Sequence, residues 1–532
     1  MPSSDFDWRF PYPSRRTPVL GSNIVATSQP LAAQAGIRML LRGGNAVDAA
    51  VAAAIALTVV EPTMNGIGGD AFALVWDGEA LHGLNASGRS PKAWTFDRFA
   101  GKAEMPAIGW DSVTVPGAVS SWIELSRRFG NLPFADLFAP AIEYARGGFP
   151  VSPFVARTWK EAAEKYRTFD SFVATFLPDG RAPSAGEWFR SPAQAETLAE
   201  IAGTYCESFY RGRLARVIAD WSRRTGGLLD EDDLGGHMAE WVEPLSTTSG
   251  RFTLHEIPPN SQGVAALLAL ALLREDPAVV ADPDSVESID LQLRAMRLAQ
   301  EEVRQYVADP ASMVVEPRAL LDERRVEVLR RVFDAGLQAG LRRTRRPKEG
   351  DTVYLTAADA DGMMVSFIQS NYYDFGSGIV VPGTGIALHS RAVCFGLDRS
   401  HPNAVGGGKR PFHTLSPAFV TAQGRPVMSF GVMGGHMQPQ GHLQMFVRSC
   451  LGGQNPQAAC DAPRWNLAPD GSVLLEAGAR DGVAAALAGL GHSVQTVEYG
   501  DPVFGGAQAI RVLPQGYCAA SDPRKDGQAV AL

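Results

Sequence analysis

The abrupt change of texture at Gly350-Asp351-Thr352 constrains the fold more than any other stretch of the chain. Upstream, from about Ala118 to Arg330, the sequence is mainly amphipathic and helical, as in AETLAEIAGTYCESFYRGRLARVIADW. Downstream it breaks into β-rich runs: TVYLTAAD and MMVSFIQS around the hairpin signal ADADG, then GIALHS, SPAFV, PVMSFGV and SVLLEAG. Two helical segments, QPQGHLQMFVRSCLGG and RDGVAAALAGLG, interrupt them. Helices mainly first and strands mainly last predict an α+β layered fold. At 532 residues the chain can build one large multilayer domain or several average ones.

The N-terminal third adds its own punctuation. SNIVATSQ reads as a short strand, followed by a helix that starts at Ser28 and Pro30 and stops at Gly43-Gly44. The run AVDAAVAAAIALTVV, Ala46 to Val60, falls short of a bilayer span and carries Asp48, so it reads as a buried helix. FALVWDG and ALHGLNASG flank a turn at Asp77-Gly78. FTLHEIPPNSQG reads as a strand running into a proline-rich loop, the one interruption of the helical region.

Charge and cysteine usage remove several function classes. A net charge of -8 offers no global basic field to nucleic acid or an anionic membrane, and neither is expected as a partner. The ten Lys and Arg of residues 318–348, ending in LRRTRRPKEG, read as a solvated helix face followed by a flexible loop. The five cysteines are odd in number and lack C-x-x-C spacing, which argues against a disulfide framework or a zinc site and for a reducing compartment. MPSSDFDWRFPYPSRR has no apolar core of the secretory kind, so the expected location is cytoplasmic.

Few motifs carry chemistry. NGIGGDAF lacks G-x-G-x-x-G spacing, and its glycines suit a tight backbone approach better than a dinucleotide. In GGHMQPQGH the two histidines straddle a proline with no acidic or cysteine ligand nearby, so neither metal nor cofactor is expected. Gly434 and Gly435 there lie between a strand and a helix, where free N–H groups can hold an oxyanion. No G-x-S-x-G elbow or H-E-x-x-H is present. A threonine opening a strand, such as Thr352, is ordinary. A free N-terminal threonine is different, because its own α-amine can activate the hydroxyl. That requires a cut between Asp351 and Thr352, and a basic, proline-containing loop is a suitable place for one.

Taken together, GGNAVDAAVAAAIALTVVEP, GIGGDAFALV, VPGAVSSW, LFAPAIEYARGGFPVS, PPNSQG, GDTVYLTAADADG, FGSGIVVPGTGIAL, GKRPFHTLSPAFV, GVMGGHMQPQGH and DAPRW resemble the γ-glutamyltransferase-type N-terminal-nucleophile hydrolases over nearly the whole chain. The resemblance implies a four-layer αββα sandwich. It also implies a proenzyme that cuts itself into a large subunit, 1–351, and a small subunit, 352–532, together one structural domain. Whether the mature heterodimers pair is left open. Thr352 takes the nucleophile's place, and Gly434 and Gly435 that of the oxyanion hole. Ser370 stands for a threonine that bonds the nucleophile, and His413-Thr414 for a serine pair that holds the substrate carboxylate.

The departures bear on substrate. Where γ-glutamyl-specific members place an arginine for the α-carboxylate, this chain has Ser87, with Arg89 two residues later. Where they place acids for the α-ammonium group, HSRAVCFG has Val393 and Cys394, with Arg391 close by. An amine there would meet a cation and no acid. LNASGRSP, IQSNYYDFGSG and MGGHMQPQGH look most similar to the cytoplasmic branch that includes oxamate amidohydrolases of purine nitrogen catabolism. The implied reaction is hydrolysis of a small amide, oxamate to oxalate and ammonia, without a cofactor and with Arg89 left to meet the anion. The alternatives are a γ-glutamyltransferase or glutathione hydrolase, a cephalosporin (glutaryl) acylase, and a non-catalytic binding relative.

Overall fold

The computed structural model describes residues 16–274, 276–335 and 351–532. The aromatic, proline-rich start and residues 336–350, the latter part of the basic run, lie outside them, as does the Asp351 side chain.

The buried helix comes first because so much else rests on it. Every residue of Ala46–Val60 is buried, as expected of a run with no polar stripe. Its N-terminus is closed three times over. Asn45 Oδ1 accepts from the Val47 and Asp48 amides, Asp48 Oδ2 accepts from the Asn45 amide, and Asp359 Oδ2 accepts from the Ala46 amide at 2.8 Å. Asp359 belongs to the ADADG turn, where its other oxygen accepts from Asp361 and Met363. One carboxylate therefore sets the hairpin turn and docks it on the helix.

Two seven-stranded antiparallel sheets form the centre. The first runs, in spatial order, Gln528–Ala531, Ile24–Thr27, Asp351–Ala358, Met364–Tyr372, Asp70–Trp76, Leu81–Ala86 and Glu240–Val242. The second runs Val19–Gly21, Tyr517–Ser521, Gly506–Val512, Arg425–Met433, Ala418–Ala422, Phe252–Glu256 and Leu245–Ser249. Alternate residues divide each strand between two cores. Ile24, Phe72, Leu74, Tyr354, Met364 and Ile368 of the first sheet pack with Phe419, Met433, Ile510 and Ala519 of the second. The opposite face of the first sheet (Val25, Ala71, Val353, Leu355, Phe367) meets the helices Pro30–Leu41 and Ala46–Val60. The outer face of the second (Val420, Phe430, Val432, Ala509) meets Val264–Leu273, Val286–Tyr306 and Gln438–Phe446. Helix, sheet, sheet, helix is the αββα sandwich.

The distribution of strands differs from a helices-then-strands order. Both sheets take strands from both sides of residue 351. Glu240–Val242 and Leu245–Ser249 fall in the stretch read as mostly helical. They are edge strands of opposite sheets, three and five residues long, and their half-exposed positions show little apolar alternation to read. The described part of the basic run behaves as a solvated helix: Arg318, Arg325 and Arg330 pair with Glu243, Glu302 and Asp334.

The sheets come close at Gly431, where a Cβ would fall 2.4 Å from the Tyr354 ring. Gly431→Ala should lower the unfolding free energy by about 1–3 kcal/mol. Urea unfolding would check this, and Tyr354→Leu in the same chain should recover part of the loss; additive effects would place the strain elsewhere.

Candidate functional site

Thr352 is the second residue of a strand in the middle of the first sheet, and the ladder slips there. Asp351 pairs with Tyr372 and Val353 with Gln369, so Thr352 alone faces Ser370 and Asn371. Such a bulge re-aims side chains. Thr352 Oγ1 donates to Ser370 Oγ at 3.3 Å, and Ser370 Oγ accepts from the Tyr372 amide at 2.8 Å. Both side chains are buried.

The second sheet is reached by following the contacts between layers. Thr356 bonds Ser429, and the Tyr354 ring lies on Gly431. The same two-residue progression carries Thr352 toward the end of Arg425–Met433, where Gly434 (φ +119°) and Gly435 (φ +57°) turn the chain into the Gln438–Phe446 helix. Positive φ at both positions is glycine's territory. Gln262 Nε2 donates to the carbonyls of Thr414 and Gly435, each at 2.8 Å. Arg391 Nη1 donates to Thr414 Oγ1 at 2.8 Å, and its guanidinium lies 4.5 Å from the centre of the Tyr372 ring. Contacts thus pass unbroken from Thr352 through Ser370, Tyr372, Arg391, Thr414 and Gln262 to Gly435.

A sequence profile described as Gamma-glutamyltranspeptidase matches residues 32–532. The chain belongs to that family. It is 37% identical over 524 residues to the glutathione hydrolase-like YwrD proenzyme of Bacillus subtilis, covering 97% of this chain and 99% of that one. It is 36% identical over 513 residues to the oxamate amidohydrolase proenzyme of Klebsiella pneumoniae, covering 94% and 96%. The crystal structure of a cephalosporin acylase from Bacillus halodurans superposes with a TM-score of 0.93, at 45% identity and 99% of each chain. The fold is therefore that of the N-terminal-nucleophile hydrolases, and the chain is an enzyme of a family that hydrolyses carbon–nitrogen bonds.

Within this family frame, the residues singled out from the sequence fall into two groups. Thr352, Ser370, Thr414 and the glycine pair are drawn together by the contacts above. His413 and Arg89 are occupied elsewhere. His413 Nδ1 accepts from the Leu415 amide at 3.2 Å, so its Nε2–H is the donor to Asp70 Oδ2 at 3.1 Å. Arg89 donates to Asp309 at 2.7 Å and to the Gly408 carbonyl, with Glu240 at 3.7 Å. Its charge already has two carboxylates close by. His442 is held by Glu256 and the Val432 amide, a packing role. The glycines of NGIGGDAF do serve close approach: a Cβ at Gly68 would fall 2.3 Å from the Ala387 carbonyl oxygen.

Three features escaped the sequence reading. Gln262 lies in PPNSQG, but nothing local tells that its amide bridges two distant carbonyls. Arg391 was noticed only as hostile to an amine. Asp70, one strand from Ser370 in register, is a buried hub. Its Oδ1 accepts from the Gly88 and Gly117 amides, and its Oδ2 meets His413 and, at 3.3 Å, His389 Nδ1. Burial alone would raise this carboxyl, yet the two histidines hold it well below the usual range.

Burial, followed by the positive charge of Arg391, pulls His413 down to about 3 against the pull of Asp70. The ring is neutral near pH 7. Between about 6.5 and 3 the unfolded chain takes up a proton at this position that the folded chain refuses, so stability falls as pH falls through that window. Burial depresses His237 and His255 to about 4, with the same sign. His413→Asn should therefore flatten the dependence, by up to about 1.4 kcal/mol per pH unit, in urea unfolding compared at pH 6.5 and 5. An unchanged slope would mean that the folded ring protonates normally.

Proposed function

We propose that the chain is a self-processing amidohydrolase whose nucleophile is Thr352, exposed as an N-terminus by cleavage after Asp351. The observation that carries this reading is the Thr352 hydroxyl on a bulge against Ser370, linked by continuous contacts to the Gly434-Gly435 turn. Before cleavage the Thr352 nitrogen is an amide and cannot act as a base. After it, the free α-amine takes the proton of Oγ1 as the oxygen adds to the substrate carbonyl. The N–H groups of Gly434 and Gly435 receive the tetrahedral oxyanion. Collapse expels ammonia or an amine, protonated from the α-amine, and leaves an ester on Oγ1. Water then adds to the ester, releases the acid and restores the hydroxyl.

The two products of cleavage would be 1–351 and 352–532. Because both sheets draw strands from both segments, the pieces would remain one folded body. Among the described residues all cysteines are free and no helix is long and apolar enough to cross a membrane.

For the substrate we favour a small anionic amide, with oxamate hydrolysed to oxalate and ammonia. Support comes from the relative that bears this activity in its name and from the absence of carboxylates at Val393 and Cys394. A cephalosporin (glutaryl) acylase is the second reading, favoured by the 45% likeness to such an enzyme. A γ-glutamyl donor fits least well, since its ammonium would approach Arg391.

A denaturing gel of purified protein should show two bands, the smaller with Thr352 as its first residue. Thr352→Ala should remain a single chain and lose at least about a thousandfold in ammonia release. Thr352→Ser should retain processing and part of the turnover. Oxamate should outperform γ-glutamyl-p-nitroanilide and a glutaryl amide. Normal processing of Thr352→Ala would remove Thr352 from this role.

A further inference from the structure

Arg391 is a buried charge that its described surroundings leave partly unmet. Its side chain is fully buried, yet among the described residues it makes no ion pair. Nη1 is spent on Thr414 Oγ1, with Cys394 Sγ at 3.9 Å, and the face of the guanidinium rests on Tyr372. Among the described residues Nε and Nη2 have no hydrogen-bond partner. The buried carboxylate of this neighbourhood, Asp70, is already taken by two histidines and two backbone amides. A guanidinium cannot shed its proton, and a buried cation without a counter-charge costs several kcal/mol. The unfilled edge is informative in itself. Nε–H and Nη2–H point the same way along one side of the fork, the side that takes both oxygens of a carboxylate. Thr414 and Tyr372 hold the opposite edge and the face.

We propose that Arg391 is the specificity-determining residue of the site and binds a carboxylate of the substrate through Nε and Nη2. This rests on the reading of Thr352 as nucleophile. Both supports of Arg391 are already part of the contacts that join Thr352 to Gly435, so the bound carboxylate lies near the carbonyl under attack. The substrate class is then the monoamide of a short dicarboxylic acid. An α-ammonium group at the same place is repelled by the guanidinium, and neither Val393 nor Cys394 offers it a carboxylate.

The test uses processed wild type, Arg391→Gln and Arg391→Lys. In calorimetry with oxalate, malonate and glutarate, at least one dicarboxylate should bind the wild type about a hundredfold more tightly than Arg391→Gln, with Arg391→Lys between. The best binder reports the length of the acid. In kinetics, Arg391→Gln should lose a similar factor in kcat/KM toward oxamate or the matching longer monoamide. Toward oxamide, its uncharged isostere, it should change by only a few-fold. The thermal midpoint of ligand-free Arg391→Gln should be unchanged or higher, because an unmet charge is removed. Equal losses on charged and uncharged amides with a lowered midpoint would make Arg391 structural and overturn the proposal. Unchanged dicarboxylate binding in Arg391→Gln would overturn it as well. If the wild type binds dicarboxylates through Arg391 but hydrolyses no amide, the anion site stands and the amidohydrolase reading falls. If Arg391→Gln hydrolyses oxamate like wild type, the reading stands and this inference falls.

Discussion

The structure depends on one constraint above the rest: the two strands of the hairpin 351–372 are buried on both faces, so most of their polar side chains must be met inside the protein. The Asn371 amide and the Tyr372 hydroxyl are left without a partner among the described residues. All nine residues of Met364–Tyr372 are buried. The helix-facing side solves the problem mostly by being apolar, with Gln369 answered by Trp122 and Asn65. The side facing the other sheet carries hydroxyls in a row, and each is met across a strand or across the layer: Tyr354 with Ser366, Thr356 with Ser429, Ser366 with the Phe430 carbonyl. Thr352 and Ser370 continue that row to its end. The Thr352 hydroxyl is held by the same device that serves the rest of the row.

Charge at the end of the layer is arranged unevenly. Asp70 is over-supplied with donors and stays ionised although buried. Arg391 is under-supplied, its Nε and Nη2 having no partner among the described residues. One group is a finished structural anchor, the other an open valence beside it. The imbalance is hard to explain as a packing feature, since a neutral side chain of similar length would remove it at no electrostatic cost.

Much of this was legible in the sequence. The buried helix, both hairpins, the strand before Gly434 and the helix after it follow from periodicity and turn chemistry, because local preference and tertiary position agree there. The edge strands Glu240–Val242 and Leu245–Ser249 were not legible, since short edge strands have little buried pattern. At the site, Thr352, Ser370, Thr414 and the glycine pair stand out through family resemblance. Arg89 stood out for the anion because it lies two residues from the expected position, whereas its pairing with Asp309, 220 residues away, is visible only in the fold.

The sequence by itself determined most of the elements and an α+β layered fold through local spacing, and through its motifs the family, from which the αββα class was expected. Which charges are spent and which are free was decided only by the tertiary structure. Arg89, Arg391, Asp70 and His413 are equally polar in a string of letters. Whether each finds a counter-charge depends on residues hundreds of positions apart being folded to within about 3 Å, the range over which a buried hydrogen bond or ion pair acts.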